Sequence, residues 1–517
     1  MSDLKYPEDK KLGPQFSSLM IDEVPNYGNR FQYSLGFLAA IAFTMLIVTG
    51  VIEVFFGADW WLTNSVGIFF RSIHLWATQA FVVFIILHLV VVFCTMGYRG
   101  KRKITWVLGV LMFLFALIET EMGYALRGDF SAQWRALQGA DFFNGSGLGL
   151  WINPLNELKI MGTHIMIMPL IIITILVVHY MLVRFLGLAT PPKPDHPHRI
   201  EKANHTVLFL RGGFVAVLVI VLAILLPSPY VKPVTAAEVA KSDPKLFART
   251  LVGEFGRLES LVVPGQAADV KEADLEAQDL TSGYVDNLHP YTDKVDEATK
   301  AADPGVPGIA FDTREVFVKQ PWSGLVAGGR LTDDLATIEK LSAEEQAKLV
   351  EEAADYFGDN KGNVQPANNL LIGVVNNLTT LATSGYYDQY LKGYGNAGDN
   401  TKFLRFMADL GVLAPLADAM DITTEKWGFL REEKPTGTDG KPMMDVATPP
   451  GAWWLAPIGV LNTTVLVGDD NGDRDGAMIL GILVLILGAV PFIPGVNKLP
   501  LYLSLYKLFQ RKPKAAK

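Results

Sequence analysis

The chain has 517 residues, half of them hydrophobic, with 45 Lys+Arg against 53 Asp+Glu and a formal net charge of −8. A single cysteine, Cys94, excludes a disulfide framework, a thiolate zinc cluster and a covalent c-type haem, which needs two cysteines in C-x-x-C-H. The acidic balance gives no reason to expect a nucleic-acid partner, and the length allows more than one domain. The polar N-terminus has no short apolar stretch followed by a small-residue cleavage site, so no cleaved signal peptide is expected.

In chain order, six apolar runs are long enough to cross a bilayer as helices, near residues 33–56, 72–96, 104–124, 163–187, 206–227 and 476–495. Between the fifth and sixth lies a polar block, residues 228–475, with 22 Lys+Arg and 39 Asp+Glu, a net charge of −17 that leaves +9 on the remainder. The expected division is a four-helix core (1–190), a linker with the fifth span (191–227), an acidic inserted domain (228–448), and a last part (449–517) holding the sixth span and a basic tail. The fold class expected is an all-α membrane protein: a four-helix bundle, two further spans and a mainly helical extramembrane domain inserted before the last helix.

Basic residues set the orientation. The loop after the second span is "YRGKRK", the loop after the fourth contains Lys193, Arg199 and Lys202, and the chain ends "QRKPKAAK". The connection after the first span has no Lys or Arg until Arg71. The positive-inside rule then puts both termini in the cytoplasm and the acidic block outside, periplasmic in a bacterial inner membrane. Within the block, "LSAEEQAKLVEEAADYF" (341–357) reads as a helix with a Ser342/Glu345 capping box. "DLATIEK" and "FLRFMADLGVLAPLADAM" also read as helices, while "GYYDQYLKGYGNAGDN" (385–400) and "REEKPTGTDGKP" (431–442) read as loops.

Histidines in hydrocarbon are costly and mark function. The second span holds His74 and His88, fourteen residues apart. Fourteen helical residues return to within about 40° of one face after about 21 Å of rise. The fourth span holds His164 and His179, fifteen apart, with a mismatch of about 60° that a kink at Pro169 could correct. Both spans run the same way, so His74 and His164 share the outer level and His88 and His179 the inner one. Two pairs at two depths make axial ligand sets for two stacked haem irons. Gly36 and Gly50 in the first span, and Gly109 and Gly123 in the third, repeat the fourteen-residue spacing, as expected of bare backbone pressed on haem edges. The alternative is a set of interhelical hydrogen bonders with small-residue packing notches.

The first 227 residues resemble cytochrome b of the cytochrome bc and bf complexes. The phrases that carry the likeness are "YSLG…VTG" (33–50), "RSIHLW", "ILH", "GYRGKRKITWVLGV", "GYALRGDFSAQW" and "HIMIMPLIIITILVVHYMLVR". The fifteen-residue spacing and the "RGKRKITWV" loop are most similar to the chloroplast and cyanobacterial type. The resemblance implies two non-covalent b haems, His74 and His164 on the outer and His88 and His179 on the inner. It also implies a quinol-oxidising electron-transfer subunit with quinone as substrate, Rieske-type iron–sulfur or cytochrome c partner subunits, and a dimeric core. Arg71, three residues before His74, and Arg184 would bind haem propionates by this likeness; the alternative for Arg71 is an interfacial anchor.

The departures from the family are specific. The chloroplast type attaches an extra haem through a cysteine early in the first helix; Ser34 stands there, and Cys94 reads as an apolar filler. The family's outer quinol site has G-Y-x-L-P-W after the third span, where this chain reads "GYALRGD", placing Tyr124, Arg127, Asp129 and, further on, Trp134 at the expected site. Its P-E-W-Y motif is matched by "PPGAWWLAP" (449–457), with Ala452, Trp453 and Trp454 in the Glu, Trp and Tyr positions. Alanine accepts no proton, so either another group such as Asp129 or Glu121 does so, or the outer site no longer splits the two quinol electrons. The non-bifurcating alternative is an electron conduit with a single quinone site, and a haem-free scaffold is the third. His196, His198 and His205 cluster before the fifth span as solvated residues, a partial metal site or a proton route. The inserted domain reads as a scaffold for a partner subunit, or as an acidic surface that steers a basic carrier.

Overall fold

The computed structural model describes residues 20–25, 27–145, 152–189, 192, 200–256, 314–329, 331–358, 365–393, 398–435, 442–443, 446–468 and 472–509. Among them, six helices have the length and hydropathy of membrane spans: Leu35–Phe56, Ser65–Cys94, Gly100–Ala125, Glu157–Leu186, His205–Leu225 and Gly472–Phe492. The second and fourth begin earlier than the sequence suggested, because Arg71, Ser72 and Lys159 lower the local hydropathy without breaking the helix. Asn64 starts the second helix by accepting the Val66 N–H at 2.9 Å, and Asn204 starts the fifth by accepting that of Val207 at 3.0 Å. Gly57 (φ 78°) and Gly187 (φ 72°) end the first and fourth. Only 11% of the fourth span's apolar window is buried within the chain, and Phe55, Phe185, Leu210 and Phe214 stand exposed around the bundle. Such a surface requires lipid, and the chain is a multi-pass, all-α membrane protein.

The first and second spans form one closely packed pair, and the third and fourth form another. The fifth packs on the first pair, where Gly212 lets it approach Phe37 and Ile41; a methyl group there would meet both at 3.2 Å. The sixth packs on the third, fastened by Trp106 Nε1 donating to the Leu487 carbonyl at 2.8 Å. At one end, β1 (Glu23–Pro25) pairs antiparallel with β2 (Ile200–Lys202), and His205 Nε2 lies 2.9 Å from the Ile21 carbonyl oxygen. At the other end, the connection after the third span meets the acidic insert, so the insert and the described residues of that connection, 126–145 and 152–156, share one side.

That meeting changes the division of the chain. Phe130, Trp134 and Leu137, from the helix Phe130–Gly145, are buried in one core with Phe247, Phe317, Trp322, Tyr387 and Phe406 of the insert. The extramembrane body is therefore built from two chain segments, and its core crosses the boundary expected at 228. Helices Ala236–Ser242, Pro244–Gly256, Ala343–Phe357, Leu370–Thr383 and Thr401–Asp409 supply most of the rest. The Ser342/Glu345 capping box forms. Tyr386–Leu391, expected as loop, is a helix: Gly385 (φ 84°) turns the chain into it, and burial of Tyr387, whose hydroxyl donates to the Phe317 carbonyl at 2.8 Å, holds it. Trp134→Ala should cost about 3–5 kcal/mol through the cavity it leaves. Limited proteolysis of the purified protein should then cut the insert faster than in the wild type; equal protection would show that this core does not fasten the two segments.

Candidate functional site

The four span histidines face four glycines. A methyl group built on Gly50 would meet His74 Cε1 at 3.3 Å, and one on Gly36 would meet His88 Cε1 at 3.4 Å. In the second pair, Gly109 faces His179 Cε1 at 3.3 Å and Gly123 faces His164 Cε1 at 2.9 Å. Each glycine thus presses on an imidazole of the neighbouring helix, fixing the ring from behind, where the spacing had suggested contact with the haem edge. All four backings use the fourteen-residue repeat of the first and third spans.

The fifteen-residue interval in the fourth span is absorbed by a π turn. Thr163–Ile167 is π-helical and is followed by Pro169. A π turn takes one extra residue, and Pro169 lacks the N–H that the α pattern would send back to the Ile165 carbonyl. One residue is absorbed, fifteen behave as fourteen, and His164 and His179 both meet the glycines of the third span.

At the outer level the His74 and His164 ring centres are 6.4 Å apart, with planes at 65°. Thr49 Oγ1 lies 2.8 Å from His74 Nδ1 and itself donates to the Met45 carbonyl, so it accepts the Nδ1 proton. The Glu119 carboxylate lies 3.0 Å from His164 Nδ1. The Thr49 contact leaves Nε2 as the lone-pair nitrogen of His74, whereas His164 Nδ1 makes no aligned hydrogen bond and Glu119 stands beside it by charge. An iron midway, with metal–nitrogen bonds of about 2 Å and about 1 Å from each nitrogen to its ring centre, requires about 6 Å between centres. The observed spacing fits.

Around this pair is a cavity of about 730 Å³, lined by Gly50, Glu53, Arg71, Glu119, Gly123 and Tyr124 among others. Arg71 donates from Nη2 to Asp129 Oδ2 at 2.5 Å and to the Pro229 carbonyl at 3.0 Å, while its Nε and Nη1 have no partner among the described residues. Two unsatisfied donors of a buried guanidinium suit an acidic group in the cavity. Arg184 is buried at the inner end of the fourth span, its guanidinium 5.8 Å from the Tyr180 ring centre.

The outer-site departures form one buried charge network. Arg127 pairs with Asp129 at 2.9 Å and with Glu432, and Glu433 lies 3.7 Å away. Tyr124 donates its hydroxyl to Glu432 Oε1 at 2.8 Å. Glu433 accepts the Ser131 and Val231 N–H groups at 2.8 and 3.1 Å. Burial opposes the Asp129 charge, but Arg127, Arg71 and the Ala132 N–H outweigh it and hold its carboxyl below the usual range. Burial and the Asp129 charge push the Glu433 carboxyl well above that range. The two arginines face the carboxyl groups of Asp129, Glu432 and Glu433.

The remaining expected residues are dispersed. Ala452 is fully buried; Trp453 Nε1 donates to Gln79 Oε1 at 2.8 Å, and Gln79 in turn donates to the Pro450 and Gly451 carbonyls at 2.8 and 3.0 Å. Trp454 is buried in the core of the membrane bundle. Trp134 sits in the extramembrane core with the insert. Glu121 pairs with Arg135 at 2.9 Å. Ser34 Oγ accepts from Arg211 Nη1 at 2.5 Å, and Cys94 is buried. His196 and His198 lie outside the described residues. Sequence reasoning missed Thr49, Glu53, Glu119, Glu432 and Glu433. Helical phase gives Glu53 and Glu119, since Glu53 follows Gly50 by three residues and Glu119 precedes Gly123 by four. No local pattern gives the last two.

Removing Arg127 leaves buried carboxylates without their counter-charge. Arg127→Gln should destabilise the protein by about 3–5 kcal/mol, seen as a lowered thermal midpoint in detergent; an unchanged midpoint would show that the network carries no stability.

Residues 79–238 match the family model described as cytochrome b (N-terminal)/b6/petB. A cytochrome b6 of Heliobacterium modesticaldum is 27% identical over 193 residues, covering 32% of this chain and 89% of the relative. The cytochrome b6 of Pyropia yezoensis is 25% identical over 190 residues, covering 32% and 88%. Among solved structures, a chain of a hyperthermophilic respiratory Complex III aligns over 74% of this chain and 94% of its own, at 15% identity and a TM-score of 0.34. Residues 79–238 of the N-terminal membrane core are similar to the cytochrome b (N-terminal)/b6/petB family, and residues 239–517 lie beyond the family match.

Proposed function

We propose that this chain is the dihaem cytochrome b subunit of a quinol-oxidising, bc-like electron-transfer complex, a subunit of a quinol:electron-acceptor oxidoreductase. The observation that carries this is the set of four imidazoles at two levels, each backed by a glycine, with the outer pair at the spacing of an axial pair. His74 and His164 would hold the outer haem b, and His88 and His179 the inner one. Bound there, each haem supplies a one-electron carrier. The chain's own contribution is positional: Gly36, Gly50, Gly109 and Gly123 back the rings, Thr49 fixes the tautomer that leaves His74 Nε2 for the metal, and Glu119 sets a carboxylate beside His164. The unsatisfied donors of Arg71 support its role at an outer propionate, and Arg184 is the corresponding residue at the inner level.

The complex is placed in a bacterial cytoplasmic membrane, with both termini inside and the insert outside, as the basic loops direct. Rieske-type or cytochrome c subunits accept the electrons, and a homodimeric core follows the family. The polar network of Tyr124, Arg127, Asp129 and Glu432 stands where quinol would be oxidised, and Ala452 replaces the family's carboxylate. That observation favours a second reading, a non-bifurcating conduit that exchanges electrons with quinone at one site only.

Pyridine haemochrome assay of the purified protein should give two b haems per chain, falling to one in His88→Leu; fewer than two in the wild type would end both readings. Gly123→Ala should lose more haem than Gly36→Ala, because its Cβ would approach the ring 0.5 Å closer, 2.9 against 3.4 Å. Quinol-driven haem reduction that persists in full with an outer-site inhibitor would select the conduit.

A further inference from the structure

The two imidazoles of the outer pair are held by unlike partners. His74 Nδ1 meets a neutral hydroxyl, Thr49 Oγ1, at 2.8 Å. His164 Nδ1 meets a carboxylate, Glu119, at 3.0 Å, and Glu119 Oε2 has no hydrogen-bond partner among the described residues. No arginine or lysine is paired with Glu119 among those residues, in contrast to Glu121, two residues on, which Arg135 neutralises at 2.9 Å. Glu53 lines the same cavity, with Oε1 also lacking a partner. Among the described residues, neither His88 nor His179 has a carboxylate ion pair.

We propose that Glu119 is a positioning residue that lowers the reduction potential of the haem held at His164. The inference rests on His164 being an axial ligand. A carboxylate 3.0 Å from His164 Nδ1 places negative charge beside the ring that would hold the iron. That charge favours the ferric over the ferrous form, since reduction adds one electron to a centre already facing an anion across a low-dielectric gap. The inner pair lacks that carboxylate, so the shift falls on the His164 level alone.

The test is potentiometric titration of the purified protein, followed optically through the α bands. Glu119→Gln keeps the shape and the hydrogen-bond acceptor but removes the charge. It should raise one haem's reduction equilibrium constant at least tenfold, 59 mV for a one-electron couple, leaving the other haem unmoved. Glu119→Asp, which keeps the charge, should titrate near the wild type. Two haems present with both potentials unchanged in Glu119→Gln would overturn the proposal while leaving the dihaem reading intact. If Glu119→Gln loses a haem, Glu119→Asp decides: restored haem supports the role of the charge, and equal loss in both variants overturns it. A wild type with fewer than two haems fails the underlying reading instead.

Discussion

The structure depends on one repeated contact: an imidazole of one helix held against the bare backbone of its antiparallel neighbour. It occurs four times, at Gly36–His88, Gly50–His74, Gly109–His179 and Gly123–His164. Fourteen residues in a helix rise about 21 Å and return to nearly the same face, so each pair of spans repeats the contact at two levels. A methyl group at Gly123 would force the His164 ring to shift, and at Gly36, Gly50 or Gly109 it would touch the ring at 3.3–3.4 Å, which gives these helix-weakening residues a use in otherwise apolar spans. The fourth span meets the same demand from a fifteen-residue interval by widening one turn. The two helix pairs are therefore equivalent in their contacts although they are not equivalent in sequence.

The outer end carries a second demand. Arg71 and Arg127 are buried, and burying charge is costly unless it is paired and hydrogen-bonded. The partners come from far along the chain: Asp129 from the connection after the third span, and Glu432 and Glu433 from just before the last one. The acidic insert is thus more than an appended domain. Its apolar core takes in Trp134 and Leu137, and its last segment returns two carboxylates to the bundle. Packing and electrostatics both tie it to the cavity mouth.

How much of this was legible in the sequence follows from the range of each interaction. The spans, their order and the histidine–glycine register are periodic, so composition and phase expose them. Glu119 and Glu53 are legible by the same phase argument. The π turn was half visible, as an odd spacing next to Pro169. Glu432 and Glu433 were not visible at all: "REEKP" is polar and flanked by turn residues, and nothing local says that Glu432 meets Arg127, 305 positions earlier. Tyr386–Leu391 was misjudged for a related reason, because its helix is held by tertiary burial of Tyr387 against Phe317 and Phe247.

These observations also account for the departures at the outer site. Pro and Trp of the family's loop become Arg127 and Gly128 here, and the family's Glu becomes Ala452. Taken singly, each looks like the loss of a quinol-site feature. Together they are one exchange: Gly128 (φ 71°) lets the loop turn, Arg127 brings a buried positive charge, and Glu432 answers it from a different part of the chain. Ala452 is fully buried in the core of the bundle. Nearer the outer histidines, Glu53 and Glu119 face the cavity without an arginine or lysine ion pair among the described residues. The network fixes the shape of the outer end, and these two carboxylates make its electrostatics differ from those of the inner end.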